Sequence, residues 1–525
     1  SMVMSSPIAS LLLLLLAWGG AHATRDLPRE LDTDALNCPF AVAGAGWAGV
    51  YFAYRLFESG HVANASDICL FEKSPRFGGR TFSHKVIPDS AEGDAYVTEL
   101  GAYRFSPDMH LPGDLILNKL KLETECWDPG CPDAAEALDL PAFNYHAPLQ
   151  KLVDVYAENR GYGSAIEAMI MQLQENDARI FLGHKLIGLQ KDATIGRDGE
   201  GNVTMTIETS GGERRTVSST KLFLNLPRAS LRGVEGARDL MGETVFSAFN
   251  CTRMDLPDSF AKKNIVPQEA LVKSYAYYED AWWISKLGIT DGSFPKEEFI
   301  PIVTKNGVPI SLHYNDGPVK CKIGEDEEGK PIWTGKFVPY AECKGLLQTF
   351  YSFTNVSWYD RFQKDPREPL VEVRKEHGEM EAEALAKLHD AMMETHSELF
   401  RKKNVSTDSI PPPTVMVISV WRRDHIGSTA PTKVYYKKGT LASACGVEGL
   451  TEKSYAQMLL TPFGADAGVF LANNDYRATE AAQMYGDWAE ESLLMSERAL
   501  AMMGVGKPGW LNETYYQKQV AKQLM

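Results

Sequence analysis

The stretch FAVAGAGWAGVYFAYRLFESG, residues 40–60, limits the fold more than any other part of the chain. A short apolar run leads straight into Gly44-x-Gly46-x-x-Gly49, and a helical apolar pattern follows to Ser59 and Gly60. In a strand–turn–helix unit of this kind the first glycine permits the tight turn. The second lets the backbone approach a pyrophosphate, and the third lets the helix pack closely on the strand. The phosphates then meet the helix N-terminus, whose unpaired N–H groups and dipole favour an anion. Ala45, Trp47 and Ala48 supply the remaining backbone of this turn. A second apolar strand, ICLFEKS, ends in Glu72 and Lys73, with Glu72 twenty-three residues beyond Gly49. An acid there accepts hydrogen bonds from a ribose hydroxyl. A plain turn beside a surface glutamate accounts less well for strand, turn, helix and acid occurring in this order.

Directly after Glu72 comes KSPRFGGRTFS, with Arg76, Gly78, Gly79 and Arg80. This R-x-G-G-R pattern resembles the second fingerprint of the flavin amine oxidase superfamily. There the paired glycines pass close to the cofactor and the last arginine pairs with its diphosphate. The resemblance implies FAD rather than NAD, and it continues through most of the chain. TELGAYRF, residues 98–105, is similar to the stretch whose backbone, here Gly101, Ala102 and Tyr103, lies along the flavin. ARIFLGHKLIGLQ resembles the strand whose backbone near Leu186 holds the adenine, and KLFLNLPRASL the strand and turn that follow. LVKSYAYYEDAWW resembles the opening of the substrate domain. GVFLANNDYRATEAAQMYGDWAEESLLMSERAL resembles the C-terminal flavin motif and closing helix, with Trp488 and Ala489 at the cofactor. The first thirty-odd residues and long insertions such as 301–345 have no counterpart. Within the superfamily the chain most resembles the secreted L-amino acid oxidases of the mollusc escapin and aplysianin type, with the snake-venom enzymes further off.

One departure stands out. Where the family has a glutamate near the ribityl or diphosphate, this chain has Asn473-Asn474-Asp475. Asn474 can hydrogen-bond but carries no charge. TKVYYKKG occupies the place of the cysteine that attaches flavin covalently in monoamine oxidases, and Cys445 lies nearby. The resemblance therefore implies non-covalent FAD.

The substrate residues follow from the same resemblance. Arg104 matches the arginine that grips a substrate carboxylate in the L-amino acid oxidases. A guanidinium fork fits a carboxylate bidentately, although a buried arginine can equally serve an internal ion pair. Lys273 matches the lysine that holds a water beside flavin N5. Trp488 resembles the aromatic over the substrate, and Tyr435 and Tyr436 lie where a tyrosine reaches the carboxylate. Trp282 and Trp283 read as core. The implied reaction is hydride transfer from the Cα of an L-amino acid to the flavin. It gives a 2-oxo acid and ammonia after hydrolysis, and hydrogen peroxide once O2 reoxidises the flavin. The amine must first lose a proton, and none of the 11 histidines stands out as its base.

Composition narrows the setting. A net charge of −15 leaves no basic footprint for nucleic acid. IASLLLLLLAWGGAHA is too short to span a membrane and ends in Ala21-His22-Ala23, the layout of a secretory signal over residues 1–23, with an uncleaved anchor as the alternative. Sequons follow at Asn64, Asn202, Asn250, Asn355, Asn404 and Asn512. We expect a secreted or lumenal glycoprotein, not stably inserted in a membrane, with homodimerisation left open. Among 8 cysteines, Cys126 and Cys131 bracket a tight turn and are expected to pair, Cys321 and Cys343 form a second candidate pair, and Cys69 in its apolar run reads as a buried free thiol. No metal-ligand spacing is present.

The expected fold is α/β, α+β overall. A Rossmann-like FAD-binding domain is assembled from residues 36–110, 178–245 and 440–507. A helical insertion spans 111–177 and a mixed substrate-binding domain 246–439. Two other functions stay open. A polyamine or monoamine oxidase would suit the acidic surface but has no use for Arg104. A non-catalytic secreted flavoprotein or binding toxin would tolerate the Asn474 departure.

Overall fold

The computed structural model describes residues 35–88, 95–126, 148–195, 201–250, 270–295, 300–422, 457–476 and 489–524. The expected signal segment, Cys131, Tyr435, Tyr436, Cys445 and Trp488 lie outside them.

The glycine-rich unit folds as its pattern requires. Phe40–Ala43 forms strand β1, Trp47–Glu58 helix α1 and Ile68–Glu72 strand β2. Later come β3 (Tyr96–Glu99), β4 (Arg179–Leu182) and β5 (Lys221–Leu224). A five-stranded, all-parallel sheet runs in the order Val469–Leu471, β5, β1, β2, β4. Its strands are short apolar runs because both faces are covered. On one face lie α1 and the helices Ser164–Glu175 and Ala489–Met502, with Phe52 of α1 stacked on Phe223 of β5 at 4.0 Å. On the other lies an antiparallel layer of Lys185–Ile195, Gly201–Glu208 and Arg214–Ser219, whose apolar side chains join Ala41, Phe71 and Leu222. A buried clamp fastens the end of the chain to its beginning. Arg55 of α1, 1% exposed, donates to Glu497 at 2.8 Å, and Tyr51 donates to the same oxygen at 2.6 Å.

The second large sheet is antiparallel. It is built on β6 (Ala270–Tyr278), β7 (Leu312–His313), β8 (Cys343–Ser352) and β9 (Val415–Arg422), with β8 and β9 flanking β6 and β7 beside β8. Side chains alternate across a strand, so its two faces differ. One carries Val272, Ala276, Tyr278, Phe350 and Ile418 against helix α2 (Glu379–Lys403), whose Leu385, Leu388 and Met392 complete that core. Trp282 and Trp283 are fully buried there, as read from the sequence. The other face carries Lys273, Tyr275, Tyr351, Gln348, His313 and Ser419, brought level by the pairings Lys273–Tyr351, Tyr275–Gln348, His313–Gln348 and Lys273–Ser419.

Cys69 is not a free thiol. Parallel pairing of β1 with β2 brings it beside Cys38, just before β1, and the two form a disulfide. The apolar run around Cys69 hid this because its partner lies 31 residues away and is brought near only by the sheet. Cys321 and Cys343 are linked across directly paired positions, as expected. Cys126 is also disulfide-bonded, its expected partner lying outside the described residues. These bridges fit an oxidising compartment, and no helix among the described residues is long and apolar enough to cross a membrane. A peptide map of denatured, unreduced, alkylated protein should recover Cys38 and Cys69 linked. An alkylated Cys69 would contradict the bridge. Cys38→Ser should cost roughly 2–4 kcal/mol in denaturant unfolding.

Candidate active site

The turn between β1 and α1 is held by contacts that only glycine allows. Gly44 has a φ of +100°, and a Cβ there would lie 2.3 Å from the Asn225 carbonyl oxygen. A Cβ on Gly49 would lie 2.0 Å from the Gly44 carbonyl oxygen, so helix and turn are in direct backbone contact. Asn225, at the end of β5, donates from its backbone to Ala43 and from its side chain to Gly44. The sequence did not single it out, since an asparagine after a strand reads as an ordinary turn residue.

The second glycine loop lies on the first. Gly78 donates to the Ala45 carbonyl at 2.8 Å, and a Cβ on Gly79 would meet the Gly46 Cα at 3.3 Å. Arg76 donates to the carbonyls of Phe77 and Gly79 and stacks over Phe82 at 3.9 Å, which shapes the loop from behind. Burial lowers its guanidinium to about 10, so it stays charged at neutral pH. Arg80 donates to the Asn474 side-chain oxygen at 2.7 Å. The residue that departs from the family pattern is thus joined to the arginine expected at the diphosphate.

These parts fit a dinucleotide. The N-terminus of α1 carries no side-chain cap, so its N–H groups are available to an anion. Glu72 accepts from the backbone of Ala45 at 2.8 Å and of Ser74 at 2.9 Å. A carboxylate offers about four acceptor positions, which leaves capacity for hydroxyls. The turn before Leu186 is tied to the same place, because His184 donates to the Glu72 carbonyl at 2.8 Å. Leu186 itself is buried under the parallel sheet. The Lys73 side chain is exposed, Gly46, Gly79, Arg80 and Asn474 are half-buried, and Trp47, Ala48 and Ala489 are buried.

TELGAYRF joins this region to the antiparallel sheet. β3 ends at Glu99, and the next residues run between the two. Leu100 donates to Phe82 and Ala102 to Arg80, while a Cβ on Gly101 would lie 1.9 Å from the Arg80 carbonyl oxygen. Three successive carbonyls point the other way. Lys273 Nζ donates to Gly101 at 2.6 Å and lies 3.4 Å from the Glu99 oxygen. Tyr275 donates to Glu99 at 3.0 Å, and Trp421 to Leu100 at 2.7 Å.

Lys273 is 1% exposed, with its ammonium 3.7 Å from the Tyr103 ring centroid and 4.9 Å from that of Tyr351. Burial pulls its pKa well below the usual lysine range, against the opposing fields of Asp316 and Glu99 and with help from Arg104. Burial pushes the Glu99 carboxyl the other way, upward, although Ser83 and the Tyr162 N–H donate to it. Arg104 is half-buried, with its guanidinium carbon 4.5 Å from the Tyr103 ring. Ala102 is exposed between buried Gly101 and buried Tyr103.

The structure therefore brings together the glycine turn, Glu72, Gly79, Arg80, Asn474, Gly101, Ala102, Tyr103, Arg104 and Lys273. It adds groups the sequence reading passed over. Gln348, fully buried, donates to the Tyr275 hydroxyl at 2.7 Å. His313 and Asp316 sit within the insertion that had no counterpart, and the only sequence signal was their polarity just after the apolar Val308, Ile310 and Leu312.

Residues 42–111 match the NAD(P)-binding Rossmann-like domain. The chain is similar to a solved double mutant of putrescine oxidase from a structure-based redesign of cofactor binding. The TM-score is 0.50 at 13% identity, covering 90% of this chain and 100% of that one. A single mutant of the same oxidase gives a TM-score of 0.49 at 13% identity with the same coverage. No curated protein matches the chain. The mixed α/β architecture with a Rossmann-like domain, expected from the sequence, is the observed fold.

The Gly49 contact yields a direct expectation. Gly49→Ala should force helix and turn apart, cost about 1–3 kcal/mol in stability and lower the dinucleotide recovered per chain from denatured protein. Lys73→Ala, at an exposed side chain, should change neither. Full dinucleotide retention in Gly49→Ala would contradict a cofactor seated on this turn.

Proposed function

We propose that the protein is an FAD-dependent oxidase of L-amino acids that binds its cofactor non-covalently. The observation that carries this reading is Arg104. Arg104 is half-buried, two residues beyond the exposed Ala102 and with its guanidinium over the Tyr103 ring, on the segment that joins the glycine loops to the Lys273 face. The residues that would hold FAD are those of the Gly44–Gly49 turn, Glu72, Gly79, Arg80 and Asn474, with Gly101 and Ala102 alongside. When bound, the flavin supplies the acceptor for a hydride from the substrate Cα and returns the electrons to O2.

The chain's own residues supply orientation. Arg104 grips the carboxylate through two parallel N–H donors and so fixes the direction of the Cα–H bond. Lys273, held by the Gly101 and Glu99 carbonyls, retains one N–H donor of its ammonium for a water beside the reacting centre. Tyr103 and Tyr351 shield that ammonium with their ring faces, which excludes bulk water. Tyr435, Tyr436 and Trp488 complete the substrate-facing set in this reading. The disulfides and sequons support a secreted location.

A second reading, oxidation of amines that lack a carboxylate, is favoured by one observation. Asp316 is a buried anion whose field reaches Lys273, and a buried anion suits a cationic substrate. Matched pairs of an L-amino acid and its decarboxylated amine, assayed by peroxide release, decide between the two.

Arg104→Met keeps the apolar stem and removes the fork. It should retain fold and flavin while weakening amino-acid binding by roughly 2–4 kcal/mol, with much less loss toward the amine. Low yield, a depressed melting temperature and equal losses toward both would mark Arg104 as a structural ion-pair residue instead. Lys273→Met should slow reoxidation of the reduced flavin by O2 far more than its anaerobic reduction by substrate. Stopped-flow traces with both half-reactions slowed equally would reduce Lys273 to its structural bond with Gly101.

A further inference from the structure

The face that carries Lys273 also holds a carboxylate–imidazole pair with no structural use. Asp316 is 8% exposed, and neither of its oxygens has a hydrogen-bond partner. His313, 4% exposed, has no partner for Nε2, and its Nδ1 lies 3.8 Å from Asp316 Oδ2. Burying a carboxylate without hydrogen bonds is costly, so such a group persists where a partner arrives later. The neighbouring Gln348 side-chain oxygen is likewise without a donor.

Their position follows from the sheet. His313 faces Gln348 across β7 and β8, Gln348 faces Tyr275 across β8 and β6, and Lys273 is two residues from Tyr275 on the same face. The His313 ring is 6.0 Å from Tyr351, whose ring in turn neighbours Tyr103 at 6.3 Å and the Lys273 ammonium at 4.9 Å. One aromatic ring thus separates the imidazole from the lysine. Besides Asp316, the titratable and charged groups whose fields meet at this corner are Lys273, Glu99, Tyr275, Tyr351, Tyr103 and Arg104.

We propose that His313, backed by Asp316, accepts the proton that the substrate ammonium must lose before the Cα–H bond breaks. The inference rests on the oxidase reading above and holds for either substrate class. An N–H bond of the ammonium breaks, its electron pair stays on the nitrogen, and an N–H bond forms at His313 Nε2. Asp316 then faces the new imidazolium through Nδ1–H. A carboxylate behind an imidazole orients the ring and stabilises its charged form. The 3.8 Å separation is of the kind that tightens when substrate binds.

Two measurements on flavin-loaded protein test this. In the first, kcat/KM is followed against pH for wild type, His313→Asn and Asp316→Asn, with bound flavin and melting temperature recorded for each. His313→Asn should lose about 100-fold near neutral pH, and the loss should shrink at alkaline pH, where the free substrate amine is already neutral. Asp316→Asn should show the same trend with a smaller loss. A loss equal at both pH values, or none, overturns the proposal. In the second, protein carrying 13C-labelled histidine is titrated with 2-aminoisobutyrate and separately with tert-butylamine, an acid and an amine that both lack a Cα–H. The resonance missing in His313→Asn should move to the imidazolium position, and an unmoved resonance overturns the proposal. Wild type inactive toward every amino acid and amine would instead defeat the oxidase reading on which the proposal rests.

Discussion

Residues 99–102 carry the mechanical connection on which the site depends. Their N–H groups bond to the loop that follows the second glycine pair, and their carbonyls bond to Lys273, Tyr275 and Trp421 of the antiparallel sheet. Neither partner can shift without leaving buried polar groups unpaired, at a cost of about 1–3 kcal/mol each. Gly101 is obligatory because the Arg80 carbonyl occupies the space of a side chain. The glycine loops and the antiparallel sheet are therefore held in one register.

The burial of Lys273 is a consequence of that register. A buried ammonium is tolerated here because a carbonyl accepts from it and two aromatic faces surround it. Desolvation still disfavours its charge, which makes the distant field of Asp316 significant. Asp316, Glu99 and Arg104 all act on the proton affinity of Lys273, the first two raising it and Arg104 lowering it. A wall of this kind is expensive to build, and perturbed groups of this sort gather at functional sites.

The glycine-loop end is organised differently. Its shape is set by backbone, through glycines in contact with one another and an asparagine bracing the turn. The Arg80–Asn474 bond replaces the charge pair that a glutamate would make with a neutral acceptor. Arg80 is thus oriented by that bond, and an oriented guanidinium suits an anionic group.

The sequence by itself determined the parts of this protein that rest on local backbone chemistry. Gly44, Gly46 and Gly49 announced the strand–turn–helix unit, Glu72 the end of the next strand, and Gly78 and Gly79 the loop beside them, because such spacing has few other uses. Arg104 and Lys273 were legible only through resemblance, since one cation in an apolar segment does not name its partner. The tertiary structure alone decided the rest. Cys38 meets Cys69, Asn225 braces Gly44, and His313 and Asp316 face Lys273 only because strands far apart in sequence pair in one register. The side chains of a sheet face are collected by pairing, and no periodicity within a single strand reveals which neighbours its residues will meet.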